Sequence, residues 1–202
     1  SFAYALPQGG TVVEGDALIE YGADSVVITQ GSTNVIIDWS SFDVAATESV
    51  HFDQSALMAA LNRVLSGEAS VILGSLSGAG SITLVNTAGI AFGATANVDV
   101  GAITATTLDI LNSNFMANNL TFDQYDSDFA SASVTNDGPI TVSDQGLAAL
   151  VAPGVANNGI IQARTGAVVL ASGTAYTVDF YGDGLINFAI TGATEAAPVD
   201  AN

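Results

Sequence analysis

Residues 136–150 read NDGPITVSDQGLAAL, residues 157–170 read NNGIIQARTGAVVL, and the second segment repeats the pattern of the first. The residues that correspond 21 positions apart are Asn136 and Asn157, Gly138 and Gly159, Ile140 and Ile161, and Val142 and Ala163. The apolar stretch 147–150 corresponds to 167–170, at a distance of 20 positions. A short fixed period of this kind is typical of a solenoid, in which each coil of the chain stacks on the previous one.

Alternation within each repeat indicates strands rather than helices. Apolar residues alternate with small or polar ones in 81–84 (SITL) and in 96–100 (ANVDV), and Gly or Asn marks the ends of such segments. This is the two-residue period of a strand bounded by turns. A coil of about 20 residues made only of strands predicts an all-β chain folded as a parallel β-helix.

The ends of such a solenoid need protection, because an end coil exposes unpaired backbone and apolar core. The first alternating segments, 11–19 and 25–37, are therefore predicted to cap the solenoid, and an extra-helical hairpin or small sheet is expected. Apolar residues within 53–67 fit helical spacing as well as a strand, and a strand is the favoured interpretation. Residues 112–128 are a polar, acidic excursion from the repeats.

Composition and charge limit the chemistry. The chain has 202 residues, 49% of them hydrophobic, which suffices for a substantial core in one elongated domain. It has no cysteine, which removes thiol catalysis, thiolate metal sites and disulfides. Twenty acidic residues against two basic ones give a formal net charge of −18, which argues against nucleic-acid binding and favours basic partners or cations. A solubility role for this charge is the favoured interpretation.

The sequence predicts no membrane insertion and a domain that covers most of the chain. No uninterrupted apolar run approaches the ~20 residues that span a bilayer. Residues 1–5 contain the small-x-small pattern of a signal-peptidase site, so they are interpreted as a signal-peptide remnant or the mature N-terminus. Residues 6–190 are predicted to form the β-helix domain. Residues 191–202 lose the strand alternation and are predicted to be a linker to the rest of a longer protein.

A series of motifs along the chain carries a family resemblance. In order they are LPQGGTVVEG (6–15), IDWSSF (37–42), ALNRV (60–64), ILGSL (72–76), NTAGIAFG (86–93), TLDI (107–110), VANNGII (155–161), ARTGAVVLASG (163–173) and DFYGDGL (179–185). Together they resemble the N-terminal two-partner-secretion domain of filamentous-haemagglutinin-type exoproteins, also called the haemagglutination-activity domain. Each motif is weak alone, but the ordered set spans most of the chain.

The resemblance implies a right-handed parallel β-helix at the front of a large exported protein of a Gram-negative bacterium. In that family the domain is recognised in the periplasm by the POTRA domains of a partner outer-membrane barrel, and it folds at the cell surface after export. The resemblance therefore implies a secretion domain that ends up at the cell surface or in the medium. An alternative is an adhesin module that binds host glycans or other cells, a contact that the full-length protein could also make.

One departure from the family pattern concerns a turn. The family usually has Asn-Pro-Asn-Gly where this chain has Asn86-Thr87-Ala88-Gly89. Loss of the proline makes the turn less rigid in the unfolded chain. Asn86 and Gly89 are retained, and they are candidate determinants of partner recognition or folding. A purely structural role in shaping the turn is at least as well supported.

The scarce cations are the other candidate site residues. Arg63 and Arg164 are the only basic residues, and both lie inside family motifs, which predicts fixed partners for them. Arg164 is expected to pair with a carboxylate or a carbonyl, and recognition by the partner is the less favoured interpretation. Asn62, next to Arg63, is predicted to belong to the same network.

Three further residues receive structural interpretations. Trp39 lies among apolar neighbours and is predicted to pack in the cap rather than form a carbohydrate platform. Asn136 and Asn157, one coil apart, are predicted to stack as a short amide ladder.

No enzyme, metal or cofactor is predicted. His51 is the single histidine, and no nucleophile-elbow motif surrounds a serine. Polysaccharide lyases share the β-helix fold, but their chemistry commonly needs a basic residue, and this chain has two arginines and no lysine. The acidic loop 123–128 lacks the glycine and the terminal glutamate of a calcium-binding EF-hand loop and is interpreted as a solvated loop.

Overall fold

The computed structural model describes residues 6–123, 126–180 and 186–192. In chain order the strands are β1 (Thr11–Glu14), β2 (Ala17–Tyr21), β3 (Ser25–Gln30), β4 (Asn34–Trp39), β5 (Ser49–Asp53), β6 (Ala59–Val64), β7 (Ser70–Ile72), β8 (Ser75–Asn86), β9 (Ile90–Phe92), β10 (Asn97–Thr106), β11 (Leu120–Phe122), β12 (Ser133–Asn136), β13 (Pro139–Val142), β14 (Leu147–Ala152), β15 (Gly154–Asn157), β16 (Ile160–Ala163), β17 (Ala167–Ser172), β18 (Ala175–Phe180) and β19 (Ile186–Gly192). A short helix α1 (Asn112–Met116) and a 3-10 turn (Ser127–Phe129) flank β11. No helix in the described ranges is long and apolar enough to cross a membrane.

Parallel stacking of coils organises these strands into three faces of a β-solenoid. The first face runs β3-β5-β8-β10-β13-β16, and the second runs β4-β6-β8-β10-β14-β17, because β8 and β10 bend and serve both faces. The third face runs β7-β9-β12-β15. The predicted parallel β-helix is confirmed.

The register of the strands matches the sequence repeat. Asn136 lies opposite Asn157, Ile140 opposite Ile161 and Leu150 opposite Leu170. These pairs are the ones that the 20- and 21-residue periods predict. The repeat is a direct record of which residues stack between coils.

One insertion interrupts the period. On the second face Ser81 lies opposite Ala102, 21 residues later, but Ile103 lies opposite Ala148, 45 residues later. The additional residues form α1, β11 and the 3-10 turn, and the next coil then continues the stack in register. The predicted excursion is therefore an insertion at one corner of a regular solenoid.

Inward-pointing apolar side chains form a continuous inner core along the solenoid axis. Each of these side chains packs against the equivalent side chains of the coils above and below. Its members include Val26, Ile28, Val35, Ile37, Phe52, Val64, Leu76, Ile82, Leu84, Phe92, Val98, Ile103, Val134, Ile140 and Leu150. Burial of each large apolar side chain contributes about 1.5–3 kcal/mol relative to its exposure in water.

The second face is buried on both sides. Every residue of β14 is buried, and so are four consecutive residues of β4, from Asn34 to Ile37. Outward-pointing side chains of this face join residues of α1, β11 and β18 in a separate outer core. Burial on both faces explains why these strands read as continuous apolar runs instead of alternating ones.

A three-stranded antiparallel sheet lies outside the solenoid. It has the order β11-β18-β19, so it joins the insertion to the segment that follows the last described coil. The predicted extra-helical hairpin or small sheet is confirmed.

The N-terminal cap is smaller than predicted. β1 pairs antiparallel with β4, and β2 pairs antiparallel with β3, so these two strands close the top of both faces. The assignment of residues 25–37 to the cap is wrong, because β3 and β4 form parallel ladders with β5 and β6 and are already the first coil. Glu14 and Glu20 are exposed on the cap strands, where charge discourages edge-to-edge association.

The ambiguous segment 53–67 forms the strand β6, as favoured by the sequence. Leu57 and Leu65, which would lie on the buried side of a helix, are exposed on either side of this strand. Stacking between the neighbouring coils decides the conformation here.

The two predicted terminal segments lie mostly outside the described residues. The predicted N-terminal remnant (1–5) is wholly outside them, and so is most of the predicted linker (193–202). β19 continues to Gly192, two residues into the predicted linker.

Close contact between coils at one corner predicts the effect of a single methyl group. A Cβ atom added to Gly146 would overlap the backbone oxygen of Gly101 in the preceding coil. We expect Gly146→Ala to destabilise the domain by about 1–3 kcal/mol, because the coils must separate to admit it. Gly154→Ala is the control, since its Cβ would lie 3.3 Å from its nearest neighbour, the Cβ of Ser133. Urea denaturation measures both, and equal effects would contradict the stacking argument.

Candidate functional site

Arg63 is the centre of a partly buried ion-pair network on the outer side of the second face. Its Nη1 lies 3.1 Å from Asp38 Oδ1, and its Nε lies 2.7 Å from Asp109 Oδ2. Nη2 donates to the backbone oxygen of Ile110 at 2.9 Å and to Asn112 Oδ1 at 3.0 Å. The prediction that Arg63 has fixed partners is confirmed.

The network ties the insertion to the solenoid. Asp38 and Arg63 lie opposite each other on β4 and β6, whereas Asp109 belongs to the segment that leads into α1. A second tether comes from Asn34, whose Nδ2 donates to the backbone oxygen of Phe115 at 3.2 Å and to Asn118 Oδ1 at 3.0 Å. The two tethers hold both ends of the short helix against the first coils.

Asn62 belongs to a different network from Arg63. Asn62 is fully buried, its Oδ1 accepts a hydrogen bond from Trp39 Nε1 at 3.0 Å, and its Nδ2 donates to the backbone oxygen of Thr83 at 3.4 Å. The predicted common network is wrong, because successive residues of a strand point to opposite sides. Asn62 satisfies the indole N–H inside the core.

Trp39 packs at the top of the inner core, as predicted. Its side chain is buried, and its ring meets that of Phe42 edge to face, with ring centroids 5.4 Å apart. It offers no exposed platform for a sugar.

Asn86 and Gly89 shape a turn between the second and third faces. Asn86 Nδ2 donates to the backbone oxygen of Glu68 at 2.9 Å and to Ser70 Oγ at 3.0 Å, while its Oδ1 accepts from Ala88 N at 3.0 Å. The backbone N–H of Gly89 closes the turn onto the oxygen of Asn86 at 3.0 Å, and Gly89 has a φ of +122° that favours glycine. The turn thus forms with Thr87 and Ala88 at its centre, and Asn86 is fully buried.

Arg164 differs from Arg63 in its surroundings. It lies exposed at the corner between β16 and β17, and its guanidinium has no hydrogen bond or ion pair within the described residues. The expected carboxylate or carbonyl partner is therefore not found in this part of the chain. Arg164 is a charge available to solvent.

The predicted amide ladder is present. Asn136 Nδ2 donates to Asn157 Oδ1 at 2.7 Å across one coil. His51 is exposed, with Nδ1 2.9 Å from Ser77 Oγ.

The last described coil leaves core-facing side chains open to solvent, which the sequence analysis missed. Val168 and Leu170 are 46% and 47% exposed, although their stacking partners Ala148 and Leu150 on β14 are fully buried. We call this surface, formed by β16 and β17, the open end. The sequence carries a signal for it, since the 20-residue repeat does not continue into β18.

A groove of about 530 Å³ lies between the insertion and the corner that joins the first and second faces. Its floor consists of small residues such as Gly80, Gly101 and Gly146, and Phe115 and Leu120 line its other side. None of the predicted site residues lines it.

Comparison with known proteins identifies the family. The family model described as the TPS secretion domain matches residues 3–201. The chain belongs to the TPS secretion domain family. The crystal structure of the HMW1 secretion domain from Haemophilus influenzae resembles it with a TM-score of 0.82 and 34% identity, over 94% of this chain and 50% of that one.

Two curated relatives of this TPS secretion domain are much longer proteins. A heme/hemopexin-binding protein of Haemophilus influenzae strain Rd is 35% identical over 179 residues, which cover 85% of this chain and 20% of the relative. A second heme/hemopexin-binding protein of Haemophilus influenzae is 39% identical over 107 residues, which cover 52% of this chain and 12% of the relative. The chain thus spans about a fifth or less of these relatives, and the family assigns it to an exported protein.

Arg63 and Arg164 give this TPS secretion domain a matched pair of substitutions. We expect Arg63→Met to cost about 2–4 kcal/mol, because it leaves two carboxylates without their cation. The value lies below that for a fully buried pair because Asp38 and Asp109 retain side-chain exposures of 25% and 26%. Arg164→Met changes the total charge equally and should shift the free energy of unfolding by less than about 0.5 kcal/mol.

Urea denaturation measures both arginine variants. Hydrogen exchange of the α1 amides provides the local readout, and protection there should fall in Arg63→Met. Equal stability of the two variants would show that the network contributes nothing.

Proposed function

We propose that this domain directs the export of a longer protein and starts its folding. A partner outer-membrane transporter recognises the chain in the periplasm through its POTRA domains and passes it outward. The domain then folds at the cell surface, and the protein stays there or enters the medium. The open end is the single observation that carries the folding part of this proposal, and the family membership supports the export part.

Burial of the candidate recognition residues favours recognition before folding. Asn62 and Asn86 are fully buried, so a partner that reads either side chain must meet it in an unfolded or partly folded chain. The same holds for Arg63, because its carboxylate partners engage it in the folded domain. Gly89 and the exposed Arg164 are the remaining candidates. The net charge of −18 would steer an unfolded chain towards a basic surface of the transporter.

Stacking physics supports folding in one direction along the chain. Within the described residues, the outer edges of β16 and β17 have no further parallel strand, and Val168 and Leu170 are exposed beside them. The open end therefore presents both backbone and apolar surface to a following coil. A coil that adds there buries apolar area and pairs its backbone, so folding can propagate without ATP and opposes backward movement.

Catalysis and glycan binding have less support. The adhesin alternative needs an exposed aromatic or polar platform, and the single tryptophan is buried. We therefore propose a secretion module without enzymatic activity, and assign it no cofactor.

Export with and without the transporter tests recognition. The chain, preceded by a signal peptide, is expressed in cells that carry or lack the partner transporter. We expect it in the medium or at the surface only when the transporter is present. Folded protein retained equally in the periplasm of both strains would contradict the proposal.

A charge placed on the open end tests folding propagation. Leu170→Asp would bury a carboxylate beneath the next coil, so we expect export of a longer chain to fall at least about fivefold. In the isolated domain position 170 is about half exposed, at 47% for Leu170, so the loss of stability there is smaller. Gln162→Asp adds the same charge to an exposed position of β16 and should export normally. Normal export of Leu170→Asp would exclude the open end as a template.

A further inference from the structure

The three-stranded sheet outside the solenoid joins segments that are distant in sequence. β11 belongs to the insertion after β10, whereas β18 follows β17. The strands between them, β12 to β17, form two further coils. We call β11, β18 and β19 the strap. The pairing of β11 with β18 therefore encloses the residues of two complete coils.

The strap contributes Phe122, Tyr176 and Val178 to the buried residues of the outer core. Phe122 of β11 and Tyr176 of β18 are buried and stack face to face, with ring centroids 4.6 Å apart and planes inclined by 4°. Val178 lies opposite Leu120 and joins the same outer core. Burial raises the pKa of Tyr176, so its hydroxyl remains protonated, while the side chain of Thr106 on the solenoid acts on this pKa in the opposite direction.

The solenoid and the strap depend on different contacts. Coil stacking uses the inner core and the parallel ladders, and neither includes a strap residue among those whose burial the structure describes. The strap packs against the outer side of the second face, where Val85, Leu147 and Val151 point away from the inner core. Without the strap these outward-pointing side chains would be less covered. The coils can therefore stack without the strap, whereas a strap that closed before them would enclose two unfolded coils and would lack the outer core beneath it.

We propose that the strap closes last during folding and opens first during unfolding, so that its opening controls how fast the folded solenoid unravels. An interaction that forms after the folding transition state affects the unfolding rate and leaves the folding rate nearly unchanged. The inference concerns the isolated domain and does not rest on the transporter.

An engineered disulfide tests the order of events in the whole domain. Thr121 and Thr177 lie opposite each other on β11 and β18, and the chain has no native cysteine to interfere. In Thr121→Cys/Thr177→Cys we expect oxidation to slow unfolding in urea at least about tenfold relative to the reduced form. The control, Ser25→Cys/Ser49→Cys, links the first two coils on β3 and β5 and should change the rate less than about twofold.

Equal unfolding rates of the oxidised and reduced strap variant would overturn the proposal. A greater effect of the control link than of the strap link would overturn it as well.

A second variant covers the case in which the disulfide does not form. Tyr176→Ala removes the stack, and we expect unfolding to accelerate at least about tenfold while folding, followed by the fluorescence of the buried Trp39, changes less than about twofold. Leu84→Ala, in the inner core, should slow folding as well. If Tyr176→Ala slows folding as much as it accelerates unfolding, the strap forms early and the proposal is wrong.

If Tyr176→Ala does not fold, Tyr176→Phe provides the same comparison with a smaller perturbation of the strap. It keeps the ring stack and loses only the hydroxyl, so a smaller acceleration of unfolding with an unchanged folding rate is the expected result. A slower folding rate in this variant would overturn the proposal.

Discussion

In-register stacking of one coil on the next is the interaction on which the rest of this structure depends. A single coil cannot bury its apolar residues, and its backbone groups have partners only in neighbouring coils. Pairs such as Ile140 with Ile161 and Leu150 with Leu170 place like residues directly above one another. Each inner coil is therefore stabilised by a neighbour on both sides, whereas a coil at either end of the stack has a neighbour on one side only.

The two ends of the described solenoid differ in whether their core-facing residues are covered. At the N-terminal end, β1 and β2 reverse direction and cover the first coil, and Trp39 fills the space below them. At the other end, Val168 and Leu170 face solvent. The first coil is thus covered and the last described coil is partly exposed, which is the difference on which the proposed direction of folding rests.

Sequence reasoning is strongest where the period repeats and weakest where distant segments meet. The pairing of Asn136 with Asn157 follows from the 21-residue step, because stacking requires equal coil lengths. The cap is predicted too far along the chain, because alternation in β3 is the same whether its neighbour runs parallel or antiparallel. The partners of Arg63 cannot be chosen from twenty acidic residues, since Asp109 approaches only when the insertion folds back. Strict alternation along β6 is enough to place Asn62 and Arg63 on opposite sides of the strand. The stack of Phe122 on Tyr176 has no local sequence signal, because it joins strands that are separated by two coils.

Native-state hydrogen exchange in the isolated domain tests the central claim most directly, because it measures the stability of each coil separately. The decisive comparison is between the amides of Val168 and Leu170 on β17 and those of Ala148 and Leu150 on β14. If coils are stabilised by neighbours on both sides, the β17 amides exchange at least about tenfold faster through local opening, and the β14 amides exchange only on deeper unfolding. Equal protection of the two strands would show that the last coil needs no successor, and would contradict the account.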